Sequence, residues 1–295
     1  MRQLVRPKKN LGQHFLTALG IARRIADTVD ACPDIPVLEV GPGMGVLTQF
    51  LAEKPRELAV VEIDKESVEY LTLNLKPQIS NLNIIEGDFL RMNLNEVFGG
   101  RPFVLTGNYP YDISSQIFFK MLDNRDLIPC CTGMIQHEVA LRMAAKPGNK
   151  QYGILSVLMQ AWYDVEYLFT VEPSVFNPPP KVQSAVIRLT RNGVTDLGCD
   201  EQLFRRVVKA TFGQRRKMLR VSLRQLLPHP NPSPAKGGEC LPSPAKGGEC
   251  LPSPARGEEC LPTDGFFQHD MMTRRPEQLT IAEFVNLTNL VSEWI

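Results

Sequence analysis

The run Val37-Leu38-Glu39-Val40 enters the loop Gly41-Pro42-Gly43-Met44-Gly45 directly, and helical spacing begins at Val46. An apolar, partly β-branched stretch of this length bounded by glycines reads as a buried strand, and the loop after it is too tight for anything but a strand-to-helix turn. The same grammar recurs downstream. Leu58 to Ile63 is the next strand, closing on Glu62 and Asp64, and Ser67 to Leu75 is helical. Leu82 to Ile85 ends in Glu86-Gly87-Asp88-Phe89, and Pro102 to Thr106 runs into Gly107-Asn108-Tyr109-Pro110-Tyr111. Ile113 to Leu122 has helical spacing, Gly133 to Gln136 continues a fifth strand, and Tyr152 to Trp162 is an apolar helix. Val165 to Val171 and Ser184 to Arg191 alternate like two final strands. Alternation of strand and helix predicts an α/β fold with a parallel sheet covered by helices on both faces; an antiparallel member fits at its end.

After Asn192-Gly193 the pattern becomes helical. Glu201 to Leu227 carries eight cations (Arg205, Arg206, Lys209, Arg215, Arg216, Lys217, Arg220 and Arg224) with no acid between Leu203 and Arg224, and Pro276 to Trp294 is helical again. The expected organisation is a catalytic domain over 1–192 and a small all-helical domain over 193–295. Within the latter, the decapeptide Asn231 to Cys240 recurs as Leu241 to Cys250 and Leu251 to Cys260. These Pro- and Gly-rich copies lack aromatic and β-branched residues and cannot bury enough surface to order themselves, so a flexible insertion at about 229–263 is expected.

Net charge is only +1, so attraction to nucleic acid has to come from local patches. One such patch is the arm over residues 2–9, with four cations and no acid, although a solvated, disordered terminus is the commoner outcome for such a run. No run is long enough to cross a bilayer, so a cytoplasmic, membrane-free protein is expected. Seven cysteines without a CxxC pair argue against a disulfide framework or a structural zinc site, and Cys130 and Cys131 read as reduced core residues.

The strand ends carry the chemistry, because an open α/β sheet places its ligand there. The glycine loop lets backbone at Gly41 and Gly43 approach a ligand closely. A dinucleotide fingerprint asks for a third glycine where Val46 stands, which disfavours a nicotinamide site. Glu62, about twenty residues on, is placed to accept from both ribose hydroxyls, or else to cap the following helix. Asp88 is placed to accept from an adenine amino group or to start a turn. At Asn108-Tyr109-Pro110-Tyr111, an amide oxygen beside a rigid proline carbonyl offers two fixed acceptors to a planar amino group, and Tyr111 offers a face for a base to stack on. A Gly-Asn and Pro-Tyr turn ending a core strand is the alternative.

Taken together, several motifs resemble the small-subunit ribosomal RNA adenine dimethyltransferases, S-adenosylmethionine-dependent enzymes with a Rossmann-like sheet. They are Lys9-Asn10-Leu11-Gly12-Gln13-His14-Phe15-Leu16, Glu39 to Thr48, Val61-Glu62-Ile63-Asp64, Gly87-Asp88, Gly107 to Tyr111, Phe176 to Val186, and Phe212 to Lys217. The resemblance spans all of the chain except the decapeptides. It implies that His14 and Leu16 line the cofactor site beside Gly41, Gly43, Glu62, Asp88 and Asn108. It also implies catalysis by Asn108 and the Pro110 carbonyl, with Tyr111 and Phe176 sandwiching the base; core packing is the alternative for Phe176. Arg215, Arg216, Lys217 and Arg220 are then expected to bind RNA phosphates, against a solvated helix face. The implied reaction is dimethylation of two adjacent adenines near the 3′ end of small-subunit rRNA within an assembling subunit. S-adenosylmethionine is the implied donor, no metal is required, and a monomer is expected. His14 stands where the family often has Asn, and Tyr109 where it usually has Leu. Competing readings are a macrolide-resistance-type enzyme acting on large-subunit rRNA, an assembly factor without catalysis, and a nicotinamide oxidoreductase.

Overall fold

The apolar runs pair as strands in the computed structural model, which describes Val5, Pro7, Lys8 and residues 13–79, 81–227 and 264–295. Contacts divide the chain into two units, Met1–Leu197 and Gly198–Ile295. The first unit begins with β1 (Phe15–Leu16) and α1 (Leu19–Ala26). It then alternates through β2 (Val37–Val40), α2 (Thr48–Leu51), β3 (Leu58–Glu62), α3 (Lys65–Asn74), β4 (Leu82–Glu86) and β5 (Val104–Thr106). It continues with α4 (Ser114–Asp123), β6 (Cys130–Gln136), α5 (His137–Ala144), α6 (Ile154–Gln160), β7 (Tyr163–Val171), β8 (Phe176–Asn177) and β9 (Ser184–Arg191).

Seven of the strands form one sheet in the order β4-β3-β2-β5-β6-β9-β7. The pairs β2/β3, β3/β4, β2/β5 and β5/β6 are parallel. All residues of β2, β3 and β5 are buried, which is why these strands read as continuous apolar runs rather than alternating ones. The chain moves from β2 outward to β4 and then returns to the other side of β2 as β5, so the order reverses between β2 and β5. A crevice opens at such a reversal because the two connecting segments leave in opposite directions.

One member, β9, runs against the rest, antiparallel to both β6 and β7, as anticipated, and β7 at the edge returns to the direction of the parallel core. No helix crosses over between β7 and β9, and without a crossover the chain can only return antiparallel. Their connection also supplies β8, which pairs with β1 in a two-stranded ribbon that the sequence did not suggest. The expectation of reduced cysteines needs correcting. Cys32 and Cys130 are disulfide-bonded, with Cα atoms 5.8 Å apart across a separation of 98 residues, while Cys131 is a buried free thiol. Spacing along the chain carries no trace of a pairing made by the start of β6 lying beside the segment before β2.

The second unit is helical: α7 (Glu201–Gly213), α8 (Leu219–Ser222), α9 (Asp264–Phe267) and α10 (Ile281–Ser292). In α7, Leu203, Phe204, Val207, Val208 and Thr211 are buried, a spacing that puts them on one helical face. Asp200 caps its start by accepting from the Leu203 amide at 2.6 Å. Thr280 and Glu283 form a reciprocal capping box at the start of α10, and the Phe212 and Phe284 rings lie 5.7 Å apart. The basic run, readable in the sequence as one or two helices, forms two. It breaks after Gly213 and resumes at Leu219, so Arg215, Arg216 and Lys217 sit in the connection. The three decapeptides, and residues 9–12 of the N-terminal motif, lie outside the described residues. Among the described residues no helix is long and apolar enough to cross a membrane.

Candidate functional site

A crevice lies over the carboxyl ends of β2 to β5, lined by the glycine loop, Glu62 and Ile63, Gly87 to Leu90, Asn108 to Ile113, and Gln13 to Leu16. The glycine loop is a real constraint at Gly43. Its φ is +57°, and an added Cβ would stand 2.8 Å from the Phe15 ring, so only glycine brings this backbone against both Phe15 and Glu62. The Gly43 amide donates to Glu62 Oε2 at 3.0 Å, while Ile63 and Asp64 amides donate to Oε1, each at 3.0 Å. Three backbone donors thus fix the carboxylate and leave acceptor capacity on Oε2. Burial raises the Glu62 pKa, and those amides oppose the rise.

A second carboxyl escaped the sequence reading. Glu39, 1% exposed at the end of β2, also lines the crevice and accepts from Thr48 Oγ1 at 2.7 Å. Burial pushes its pKa up to about 8, Thr48 opposes the shift, and Glu62 adds to it. Its position within the apolar run Val37-Leu38-Glu39-Val40 was the available signal, since a carboxyl is rarely fully buried without a purpose. Next to Glu62, Asp64 is held by Lys8 Nζ at 2.5 Å and by Ser67 Oγ at 3.1 Å. Burial alone would raise the Asp64 pKa, but these bonds hold it below the usual value. Lys8, a member of the basic arm, is therefore bound to the protein here.

Asp88 forms the turn weighed for it and also stands on the crevice wall. Its Oδ1 accepts from the Leu90 amide at 2.9 Å. Leu16, 5% exposed, and Gly41, with φ +68°, also face this space.

On the β5 side, Tyr109 N donates to Met134 O at 3.0 Å and Met134 N to Gly107 O at 2.9 Å, so Asn108 sits on a backbone still tied to β6. The Asn108 Nδ2 donates to the His14 carbonyl at 3.2 Å. With the nitrogen end engaged, Oδ1 is the end left to accept from a ligand. The Pro110 carbonyl accepts from Ile113 N at 3.3 Å and retains a second lone pair. Tyr109 is fully buried, its hydroxyl 3.2 Å from both Cys131 Sγ and the Thr132 carbonyl oxygen. It anchors the loop from behind, where the family residue Leu could pack but not hydrogen-bond. Burial pushes the Cys131 thiol up to about 12.

Tyr111 stacks on His14, centroids 5.6 Å apart, and its hydroxyl lies 2.5 Å from Ser184 Oγ. Phe176 does not join it. This residue is 4% exposed, opposite Leu16 in the β1/β8 ribbon, and belongs to the core cluster rather than the crevice wall. This is the core packing weighed as the alternative for Phe176, and a sandwich of the base between it and Tyr111 is a proposal. Ser184, inside the motif Phe176 to Val186 yet without a role in the sequence reading, was missed because its partner is 73 residues away.

In the second unit, Arg206, Lys209, Arg216, Lys217, Arg220 and Arg224 are exposed and Arg215 is half-buried. Among the described residues no cluster of three or more His, Cys, Asp or Glu side chains is arranged to hold a metal ion.

Residues 5–235 match the family model described as ribosomal RNA adenine dimethylase. The chain is 59% identical over 288 residues to the ribosomal RNA small subunit methyltransferase A of Phocaeicola vulgatus, covering 98% of this chain and 90% of that protein. The Bacteroides thetaiotaomicron protein of the same name is 58% identical, with 99% and 96% covered. Among solved structures, a dimethyladenosine transferase from Plasmodium falciparum superposes with a TM-score of 0.72 at 24% identity, covering 95% of this chain and 97% of that one, a likeness of fold. The 23S rRNA methyltransferase ErmE superposes with a TM-score of 0.60 at 25% identity, covering 92% and 99%.

Proposed function

The chain belongs to the ribosomal RNA adenine dimethylase family, and from that premise we propose that it dimethylates the amino groups of two adjacent adenines near the 3′ end of small-subunit rRNA. S-adenosylmethionine is the methyl donor. The observation that carries the reading is the Asn108 amide, its nitrogen engaged by the His14 carbonyl and its oxygen left to accept, on the wall of a crevice that it shares with Pro110 and two buried carboxyls.

The crevice suits this donor. Burial disfavours the charged forms of Glu39 and Glu62, and Glu62 adds to the cost of ionising Glu39, so a ligand that brings positive charge and hydroxyl donors favours both carboxyls. The Gly43 backbone, free of a Cβ, and Gly41 form the close-approach surface, Glu62 Oε2 receives a ribose hydroxyl, and Asp88 receives an adenine amino group. Leu16 and His14 complete the wall. Bound there, S-adenosylmethionine supplies an electrophilic methyl on a sulfonium.

The adenine amino nitrogen is a poor nucleophile because its lone pair is delocalised into the ring. Asn108 Oδ1 and the Pro110 carbonyl each accept one of its hydrogens, drawing them from the ring plane so that the lone pair localises and points at the methyl. Both acceptors are neutral, so they orient the amine without acting as a base: as the nitrogen–carbon bond forms, the carbon–sulfur bond would break to leave the neutral thioether S-adenosylhomocysteine, and the methylated nitrogen would shed its proton to water. The target base leaves its stack to reach them and rests on Tyr111. After one transfer the amine retains one hydrogen to donate, which permits a second round. Arg215, Arg216, Lys217 and Arg220 bind phosphates of the rRNA. The substrate is the small subunit or its assembly intermediate, the enzyme acts as a cytoplasmic monomer, and the dimethylation belongs to ribosome biogenesis.

The test is methyl transfer from labelled S-adenosylmethionine to ribosomal subunits from cells lacking the gene, followed by mass spectrometry of both rRNAs. Two dimethylated adenines in the small-subunit rRNA are expected. Methylation confined to large-subunit rRNA, as the name of the ErmE neighbour would suggest for that protein, overturns the substrate assignment. Cofactor binding without transfer to either subunit overturns the activity.

A further inference from the structure

Tyr111 opens a single 3-10 turn (Tyr111–Ile113) after a strand end, a place where a ring ordinarily has freedom about its side-chain bonds. Here it has little. Its hydroxyl lies 2.5 Å from Ser184 Oγ, and Ser184 is fully buried at the first position of β9, paired to Gln136 on β6 and Val171 on β7. A hydroxyl seated between two sheet neighbours cannot follow a moving partner, so it fixes the far end of the Tyr111 ring. The His14 ring lies against Tyr111 at an interplanar angle of 30°, and its Nδ1 is 2.8 Å from the Pro178 carbonyl oxygen. That second bond keeps the imidazole from swinging away. The main-chain carbonyl of the same His14 receives the Asn108 amide.

We propose that Ser184 and His14 are positioning residues that set Tyr111 as a rigid platform for the target base, and that His14 ties this platform to the amine acceptor Asn108. The inference rests on the proposed function. A ring fixed before the base arrives loses no freedom on capturing it, which strengthens capture and holds the amino group near its acceptors. His14, where the family often has Asn, thereby gains work on the base side of the crevice in addition to lining the cofactor side.

The experiment is a double-mutant cycle on Ser184→Ala and Tyr111→Phe, each of which deletes the same hydrogen bond while Tyr111→Phe keeps the stacking face. Single-turnover methylation of unmethylated small subunits is followed at saturating cofactor over a range of subunit concentrations, with cofactor affinity by calorimetry and a melting curve for each variant. Each single change should lower the methylation efficiency about three- to tenfold, the double change should be no worse than the poorer single one, and cofactor affinity should stay at the parental value. His14→Phe, which keeps a ring but not the Pro178 bond, should retain more activity at saturating cofactor than His14→Ala. Additive losses in the cycle, parental rates in Tyr111→Phe, or equal losses in the two His14 variants overturn the proposal. If Ser184→Ala does not fold, the Tyr111→Phe arm still decides. A parental enzyme that binds cofactor but methylates no small subunit is a failure of the proposed function instead, and is seen before any variant is made.

Discussion

A side-chain amide presents an acceptor reliably only when its nitrogen is engaged elsewhere, and at Asn108 the His14 carbonyl does this at 3.2 Å. Asn108→Ala should therefore slow single-turnover methylation by about a hundredfold, the loss of a transition-state hydrogen bond of about 3 kcal/mol, while the melting temperature stays near the parental one. An unchanged rate would mean that the amide does not orient the amine. Glu39 allows a prediction about pH. Its folded-state pKa is raised from 4.5 to about 8, so the folded protein holds a proton that the unfolded chain releases. Stability of the unliganded protein should then fall as pH rises from about 4.5 to about 8, by up to about 1.4 kcal/mol per unit. Glu39→Gln should flatten most of that slope, leaving the smaller contribution of Glu62, whose pKa is raised in the same sense. Denaturant midpoints across this pH range make the check, and identical slopes in the two proteins would count against it.

Among the elements, the connection between α7 and α8 concentrates charge where helix geometry no longer spaces it. Arg216 and Lys217 are exposed there, as is Arg220 in α8, so they can reach phosphates without losing a buried partner. Reversing Arg215, Arg216 and Lys217 to Glu should weaken binding to the small subunit and reduce the slope of log affinity against log salt by about 2–3, with cofactor affinity unchanged. Subunit binding that is indifferent to the reversal across a salt titration would return these side chains to a solvated surface. The β1/β8 ribbon works in another way. It contributes only two register pairs, yet it fixes Leu16 at the crevice and turns Phe176 into the core.

For the whole molecule, the decapeptides are the part whose composition and position point away from the chemistry. None of the residues that the resemblance places at the site lies in them, and each doubling of a flexible loop's length costs only about 0.6 kcal/mol. Deleting residues 231–260 should leave the melting temperature and the methylation rate close to parental. An insoluble or inactive deletion variant would give the repeats a structural or catalytic part.

The sequence by itself determined the strands, their acidic, glycine and amide ends, and the crevice these ends share, because each is a local pattern: an apolar run, a glycine with positive φ, a short turn. The parallel core of the sheet followed from alternation alone. It was tertiary structure that decided the antiparallel pair β9/β7, the Cys32–Cys130 bond, the inward turn of Phe176, the break in the basic helix, and the partners of Tyr111. These depend on which distant segments come to lie side by side. Ser184 and His14 stand 73 and 97 positions from Tyr111, and nothing in residue identity at such separations records a hydrogen bond or a ring contact until the sheet and the β1/β8 ribbon have been assembled.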